Sequence, residues 1–175
     1  MSLHSASKMS LLHQLIFVSL AAFAAAQCPG DFFVSNGNCF SVIDMPGVNM
    51  TWDECRLACK AKDGGELNSD LATFDTAEEL EAFSITWLDE SQNYNPDPNM
   101  WIGVEKIDGN WETIEGNPVS FQNPMWQEGH PHEMGERVFL QDITLANGIN
   151  SYGRLCFHCS MGIYEHHSRC LCRAK

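Results

Sequence analysis

The chain has few basic residues, and it has no long apolar run beyond its N-terminal segment. Ten Lys and Arg stand against 23 Asp and Glu, which gives a formal net charge of −13. Such a chain repels nucleic acid and anionic membrane surfaces, and it attracts cations or basic partners. Its acidity also keeps an abundant secreted protein in solution, which is the simpler interpretation. We therefore predict no nucleic-acid partner and, without a second apolar segment, no membrane insertion.

The N-terminal segment predicts secretion. Residues 1–26 carry one charge, Lys8, followed by an apolar run over Leu15–Phe23 and then by three alanines. This order is typical of a secretory signal peptide and its cleavage site. An uncleaved anchor is the alternative, but the apolar run is shorter than the roughly 20 residues that span a bilayer. We predict an extracellular mature chain that begins near Gln27, with residues 27–175 forming one domain.

The sequence also lacks the residue patterns of common catalytic sites. It has no nucleophile–base arrangement, no phosphate-binding glycine loop and no paired-carboxylate motif, so we predict that the protein is not an enzyme. Internal repeats, linkers and low-complexity segments are missing as well, which agrees with a single domain.

The first half of the chain predicts a hairpin and two helices. Asn36-Gly37 is a strong turn dipeptide between apolar segments, and it indicates a β-hairpin within Cys28–Asp44. Two capping boxes, each a Thr followed by a Glu three residues later, predict two helix starts. They are Thr51 with Glu54, ahead of a helix from Trp52 to about Lys62, and Thr76 with Glu79.

Beyond Met100 the pattern changes to short strands separated by long loops. The predicted strands are Trp101–Val104, Trp111–Ile114, Arg137–Ile143 and Cys170–Arg173. Between the second and third strands lies Gly116–Gly135, which is rich in Gly, Pro and Asn. A loop this long inside a compact domain is usually functional. We predict an α+β fold, with two helices flanking small antiparallel sheets and a long-loop region on one face.

The order of these pieces resembles a C-type lectin-like domain of the long form. The resemblance rests on Thr51-Trp52-Asp53-Glu54-Cys55 with Cys59, on Trp101-Ile102-Gly103-Val104, and on Cys170-Leu171-Cys172, and it extends from Cys28 to Cys172. It implies a secreted recognition module whose long loop binds an extracellular glycan or glycoprotein. The alternative is an acidic, disulfide-stapled structural or matrix protein, or a protein-binding module, without sugar binding.

Eight cysteines in a secreted chain indicate disulfides. The resemblance implies Cys28–Cys39 and Cys59–Cys172. Cys55 lies one helical turn before Cys59, and Cys170 lies two strand residues before Cys172. A Cys55–Cys170 bridge therefore fits beside the Cys59–Cys172 bridge. The family's remaining bridge would need a cysteine at Val138, which leaves Cys156 and Cys159 to form a Cys156–Cys159 pair.

The closely spaced Cys156 and Cys159 have two further interpretations. A Cys-x-x-Cys sequence also occurs in redox proteins, but no βαβ pattern surrounds this one. A zinc site could combine these two residues with Cys170 and Cys172. Because secreted proteins fold in an oxidising compartment, we favour the disulfide.

The resemblance also identifies a loop that carries calcium ligands in the family. His130-Pro131-His132 occupies the triplet that usually supplies oxygen ligands, Glu136 falls at a further ligand position, and Ser151-Tyr152 replaces the usual Asn-Asp pair. Imidazole nitrogen is a poor calcium ligand, so we predict that the usual site is degraded and that Glu136 is its one retained position. The sequence commits to no cofactor, and calcium stays open through a weaker site at Glu128, Glu133 or Glu136.

We predict that the ligand surface consists of His130, Pro131, His132, Glu133 and Glu136. Two imidazoles two residues apart also suit zinc or copper, and solvated loop histidines are the simpler alternative. The family has a cis bond before the proline of this loop, which the resemblance implies for Pro131.

One N-glycosylation sequon is present. It is Asn49-Met50-Thr51, directly before the first predicted helix, and it predicts a glycan on Asn49.

Overall fold

A computed structural model describes residues 28–90, 99–142, 155–159 and 167–175, so the predicted signal peptide lies outside the described residues. The strands are β1 Phe33–Ser35, β2 Asn38–Asp44, β3 Asp70–Leu71, β4 Met100–Ile107, β5 Asn110–Thr113, β6 Arg137–Asp142, β7 Leu155–Cys159 and β8 Arg169–Ala174. The helices are α1 Trp52–Ala61 and α2 Ala77–Glu90, and a 3₁₀ helix, Lys62–Gly65, follows α1. Among the described helices, none has the length and apolar character needed to cross a bilayer.

The strands form one mixed sheet rather than several small ones. Its main path is β1-β2-β8-β4-β6-β7, with β3 paired to β8 and β5 paired to β4. The β4–β8 pair is parallel, through Trp101 and Cys170, and the other pairs are antiparallel. The α+β prediction is confirmed. The single sheet arises because the last strand inserts between β2 and β4, a long-range pairing that local periodicity does not show.

The hairpin and the first helix form where local signals place them. Asn36 and Gly37 have φ values of 48° and 77°, which the turn between β1 and β2 requires. At the start of α1, the Thr51 side chain accepts from the Glu54 amide, and the Glu54 carboxylate accepts from the Thr51 amide. These reciprocal bonds satisfy two backbone donors that have no partner within the helix.

The second capping box is only half formed. The Glu79 amide donates to Thr76 Oγ1 at 3.2 Å, but the Glu79 carboxylate accepts from the Asp75 amide instead of the Thr76 amide. Its other oxygen lies 3.3 Å from Arg173 Nη1 and accepts from Asn38 Nδ2 at 2.7 Å. Glu79 is therefore buried but paired, and it connects α2 to the two central strands β2 and β8.

Strand β4 lies between two apolar clusters. Met100, Ile102 and Val104 pack into one cluster, and Trp101 packs into the other with Trp52 and the cystines of α1. A Cβ at Gly103 would lie 2.9 Å from the Leu71 carbonyl oxygen, so only glycine fits there. Because both faces are covered, Trp101-Ile102-Gly103-Val104 is a continuous buried run.

Three disulfides join the described segments, in the same pairings as predicted. Cys28 and Cys39 close the N-terminal hairpin. Cys55–Cys170 and Cys59–Cys172 connect α1 to β8 side by side, each with a Cα–Cα distance of 5.3 Å. Because Cys170 and Cys172 are used in these bridges, they are not available for the zinc site considered above.

The backbone corrects the predicted Cys156–Cys159 pair. Both residues lie in β7, opposite Gln141 and Val138 of β6. Three residues of extended strand separate Cα atoms by about 10 Å, whereas a disulfide needs about 4.4–6.8 Å. The pair was predicted because Val138 stands where the family's remaining bridge needs a cysteine, but pairing with β6 keeps the segment extended. The two side chains themselves lie outside the described part of the structure.

Candidate ligand-binding site

The long segment between β5 and β6 rests on a buried anchor at its middle. Met125 and Trp126 are only 3% and 8% exposed. The Trp126 ring meets Trp111 and Phe157 edge-on, with centroids 5.3 and 5.5 Å away. The Phe157 amide donates to the Met125 carbonyl, and the Gln127 amide donates to the Phe157 carbonyl. The residues that follow Trp126 therefore start from a fixed point on the sheet.

The triplet His130-Pro131-His132, which occupies the family's usual ligand position, forms a tight turn beyond this anchor. The His130–Pro131 peptide bond is cis, as the resemblance implies. The His130 amide donates to the Gln127 carbonyl at 2.9 Å, and the Gly135 amide donates to the His132 carbonyl at 3.2 Å. The imidazole centroids of His130 and His132 lie 4.2 Å apart, with ring planes tilted by 56°. His132 is exposed and His130 is half-buried, so the pair is accessible from solvent.

Lys106 of β4 binds the backbone of the two glutamates of the predicted surface, Glu133 and Glu136, and so connects them to the sheet. Its ammonium donates to the Glu133 backbone carbonyl, and its amide donates to the Glu136 carbonyl at 2.9 Å. The side chains of both glutamates are exposed. The structure thus gathers His130, Pro131, His132, Glu133 and Glu136 on one loop. We call the exposed side chains of residues 127–136 the loop face.

Two exposed apolar side chains in this segment were not among the predicted site residues. Phe121 is 58% exposed and Met134 is 74% exposed. An apolar residue within a polar, Gly- and Pro-rich segment is the sequence signal for such an exposed site residue. Sequence alone, however, does not distinguish it from a core anchor such as Met125. Met134 belongs to the loop face, and Phe121 lies earlier in the same segment.

The base of the loop adjoins a paired set of charges. Glu105 of β4 lies 3.1 Å from Arg137 and 3.9 Å from Arg56. Both guanidinium groups lie over the Trp52 ring, with distances from Cζ to the ring centroid of 4.5 Å for Arg137 and 5.4 Å for Arg56. This arrangement joins α1, β4 and β6, and Asp70, 3.2 Å from Arg56, supplies the second carboxylate that balances the two arginines. We assign it a structural role beneath the loop face.

A groove of about 800 Å³ with a mixed polar and apolar lining opens where β8 ends, beside the N-terminal hairpin and residues that include Glu115 and Thr73. Burial raises the pKa of Glu115, but hydrogen bonds from Thr73, Lys175 and Thr113 and the charge of Lys175 outweigh burial, so its pKa lies below the ordinary value. Arg173 in the same groove donates to the Thr73 carbonyl and to Asn38. Because these groups bind one another, we assign them a structural role: their contacts hold the last strand in place.

The described residues contain no group of three or more His, Cys, Asp or Glu side chains placed to hold a metal ion. The predicted Ser151-Tyr152 position lies outside the described residues. The side chains of the loop triplet offer imidazole nitrogens and a proline ring, and the nearby carboxylates of the loop face belong to Glu128, Glu133 and Glu136.

This fold, with its long loop on a tryptophan anchor, defines a C-type lectin-like domain. The family described as "Lectin C-type domain" matches residues 48–147, more than half of the chain, and the chain belongs to this family.

Individual relatives agree with this assignment. The chain is 26% identical over 145 residues to a protein named "C-type lectin" from Micrurus corallinus, covering 79% of this chain and 82% of that protein. Human lithostathine has the same fold, with a TM-score of 0.63 at 22% identity, over 87% of this chain and 93% of that one. So has the "Ca2+-independent C-type lectin SPL-2 from Saxidomus purpuratus", with a TM-score of 0.61 at 16% identity, over 83% of this chain and 92% of that one.

Proposed function

We propose that this protein is a secreted recognition module that binds an extracellular glycan or glycoprotein through the loop face. The observation that carries the proposal is the construction of the loop, in which a buried Met125-Trp126 anchor is followed by a hydrogen-bonded turn that carries an accessible imidazole pair. A loop whose backbone is held in place before binding loses little conformational entropy on binding. Imidazole nitrogens both donate and accept hydrogen bonds, which suits the hydroxyl groups of a saccharide.

We further propose that binding does not use calcium at the family's usual position. Calcium takes about 6–8 oxygen ligands, mostly from carboxylates, amides and carbonyls. The side chains of His130 and His132 supply nitrogen instead, and of the residues described here Glu136 is the one carboxylate at a usual ligand position. This donor set does not fit calcium. A protein described as a calcium-independent C-type lectin shares the fold, which supports the view that the fold tolerates this change.

Secretion is part of the same proposal. Three disulfides join the described segments, and such bridges persist in oxidising compartments. Asn49 is exposed just before the helix cap at Thr51, so an attached glycan would project into solvent. We therefore include N-glycosylation of Asn49 in the proposal.

A glycan array tests the proposed function. We expect the mature protein to bind a defined set of glycans equally well in calcium and in a calcium chelator. The double variant His130→Ala/His132→Ala should weaken that binding about tenfold or more, which corresponds to at least about 1.4 kcal/mol. Leu57→Ala is the matched control, because this side chain is 68% exposed on α1 and does not belong to the loop face.

Three outcomes would contradict the proposal. Full binding by the double histidine variant would move the site to another face of the molecule. Loss of binding in chelator, reproduced by Glu136→Ala, would show that calcium is used after all. If no glycan bound to the folded protein, recognition of a non-glycan partner or a structural role would replace the sugar-binding function.

A further inference from the structure

The two imidazole rings of the loop face lie close enough together to share one metal ion. A bound ion lies about 2.0–2.1 Å from an imidazole nitrogen, and hence about 3.2 Å from the ring centre. Two rings around one ion then have centroids about 4.5 Å apart at a right angle and about 5.2 Å apart at the tetrahedral angle. The observed separation of 4.2 Å is below both values, so both rings lie within reach of one shared ion.

We propose that His130 and His132 form a bidentate site for a late divalent transition metal, with copper(II) preferred. The preference for copper(II) follows from the ligand type, since nitrogen ligands suit the tetragonal sites of copper(II) and nickel(II). Copper(II) is also the strongest binder of nitrogen ligands in the first-row series. The remaining coordination positions are filled by water, which agrees with the lack of a third ligating side chain among the described residues.

The backbone around the pair favours binding. Hydrogen bonds from the His130 amide to Gln127 and from the Gly135 amide to His132 fix the chain on both sides of the histidines. The metal therefore needs to reorient only two accessible side chains, and little further entropy is lost on binding. Each ring must turn about its side-chain torsions to aim one nitrogen at the shared position.

The charge around the loop also favours a cation. Glu128, Glu133 and Glu136 are exposed on the same loop, and the chain carries a formal net charge of −13. Such a field raises the local cation concentration without choosing among cations. Selection of copper over calcium then comes from the two nitrogens. The metal site does not depend on the proposed glycan function, because no saccharide takes part in it.

Titration of the untagged mature protein with copper(II), nickel(II) or zinc(II) alone tests the site. We expect one copper ion per chain, with two nitrogen ligands in the electron paramagnetic resonance spectrum, and affinity in the order copper, nickel, zinc. His130→Ala or His132→Ala should each leave one loop nitrogen and weaken copper binding by about tenfold or more, because the chelating second contact is lost. Glu128→Gln is the control that keeps both imidazoles and changes the loop charge.

The outcomes that would overturn the site are separate from those of the glycan array. A double variant, His130→Ala/His132→Ala, with unchanged copper stoichiometry and affinity would place the ligands elsewhere. Tighter binding of zinc than of copper would contradict the copper preference that two nitrogen ligands predict. If Glu128→Gln weakened copper binding as much as the histidine variants do, the binding would reflect a general attraction of cations and not a histidine site. Circular dichroism of each variant checks folding, and His132→Gln provides a polar replacement if the alanine variant does not fold.

Discussion

At the scale of single residues, two glutamates hold the last strand by binding basic residues at its end. Glu79 lies 3.3 Å from Arg173, and Glu115 lies 3.1 Å from Lys175. The Glu79 pair is well buried, and Asn38 and the Thr73 carbonyl supply the further bonds that a buried guanidinium needs. The Glu115 pair is more exposed, and it attaches the C-terminal residue Lys175 to the segment after β5.

The lowered pKa of Glu115 makes its contribution to stability depend on pH. Its folded pKa lies below the ordinary 4.5, so the contribution is fully present above that value and is lost as pH falls through the folded pKa. Glu115→Gln should lower the free energy of unfolding by about 0.5–1 kcal/mol at pH near 7, as for a partly exposed ion pair. The difference from the unmodified protein should shrink near pH 3.

Urea unfolding at both pH values measures this effect. Glu81→Gln is the matched control, since this glutamate is exposed on α2. A Glu115→Gln deficit of the same size at both pH values would show that the carboxylate charge does not contribute.

Residue identity explains part of the candidate site but not its geometry. The composition of Gly116–Gly135 placed His130 and His132 on a loop, and the resemblance made them candidate ligand residues. Their ring separation of 4.2 Å follows from the turn that joins them to Gln127 and Gly135, and those hydrogen bonds have no pattern in the sequence. The exposure of Phe121 was likewise not predictable, because an apolar residue in an irregular segment packs inward or outward according to distant neighbours.

At the scale of elements, the parallel bridges between α1 and β8 are coupled through the chain. Each bridge alone closes a loop of more than 100 residues, with sequence separations of 115 and 113. Once one bridge exists, the other closes only a small ring through Cys55–Cys59 and Cys170–Cys172. In the chain-entropy model the second bridge therefore contributes about 2.5 kcal/mol, whereas the first contributes about 4.7 kcal/mol.

Removing the bridges singly and together should give non-additive losses of stability. Cys55→Ala/Cys170→Ala and Cys59→Ala/Cys172→Ala should each lower the free energy of unfolding by about 2.5 kcal/mol, and the variant lacking both bridges by about 7 kcal/mol. All four side chains are fully buried, so the cavities left by the sulfur atoms are comparable. Strictly additive losses in chemical unfolding would mean that the two bridges do not share one loop.

The elements that the sequence predicts are those whose determinants lie within a few residues. The Asn36-Gly37 turn and the Thr51 cap each need only neighbouring side chains. Strands β3 and β7 were missed because a strand forms where a distant partner pairs with it, and their partners are β8 and β6. The same reason explains the error at Cys156 and Cys159, whose spacing is short in sequence but extended in space.

At the scale of the whole molecule, the disulfides, the sequon and the N-terminal apolar segment point to one route through the secretory pathway. Expression of the full chain in a secreting eukaryotic host should yield a protein with a glycan on Asn49. A glycosidase should shift its electrophoretic mobility, and Asn49→Gln should abolish the shift. Thr51→Ser is the matched control, because serine keeps both the sequon and the helix cap. An unmodified protein in the medium would reject occupancy of this site.

The paired cystines between α1 and β8 also determine what proteolysis does to this molecule. A protease that cuts the exposed loop face cuts the chain between Cys59 and Cys170. The Cys55–Cys170 and Cys59–Cys172 bridges still join the two resulting fragments. The nicked protein therefore keeps its size until a reductant is added, and only then separates into two fragments. The loop face can therefore be cleaved while the two parts of the domain stay covalently linked.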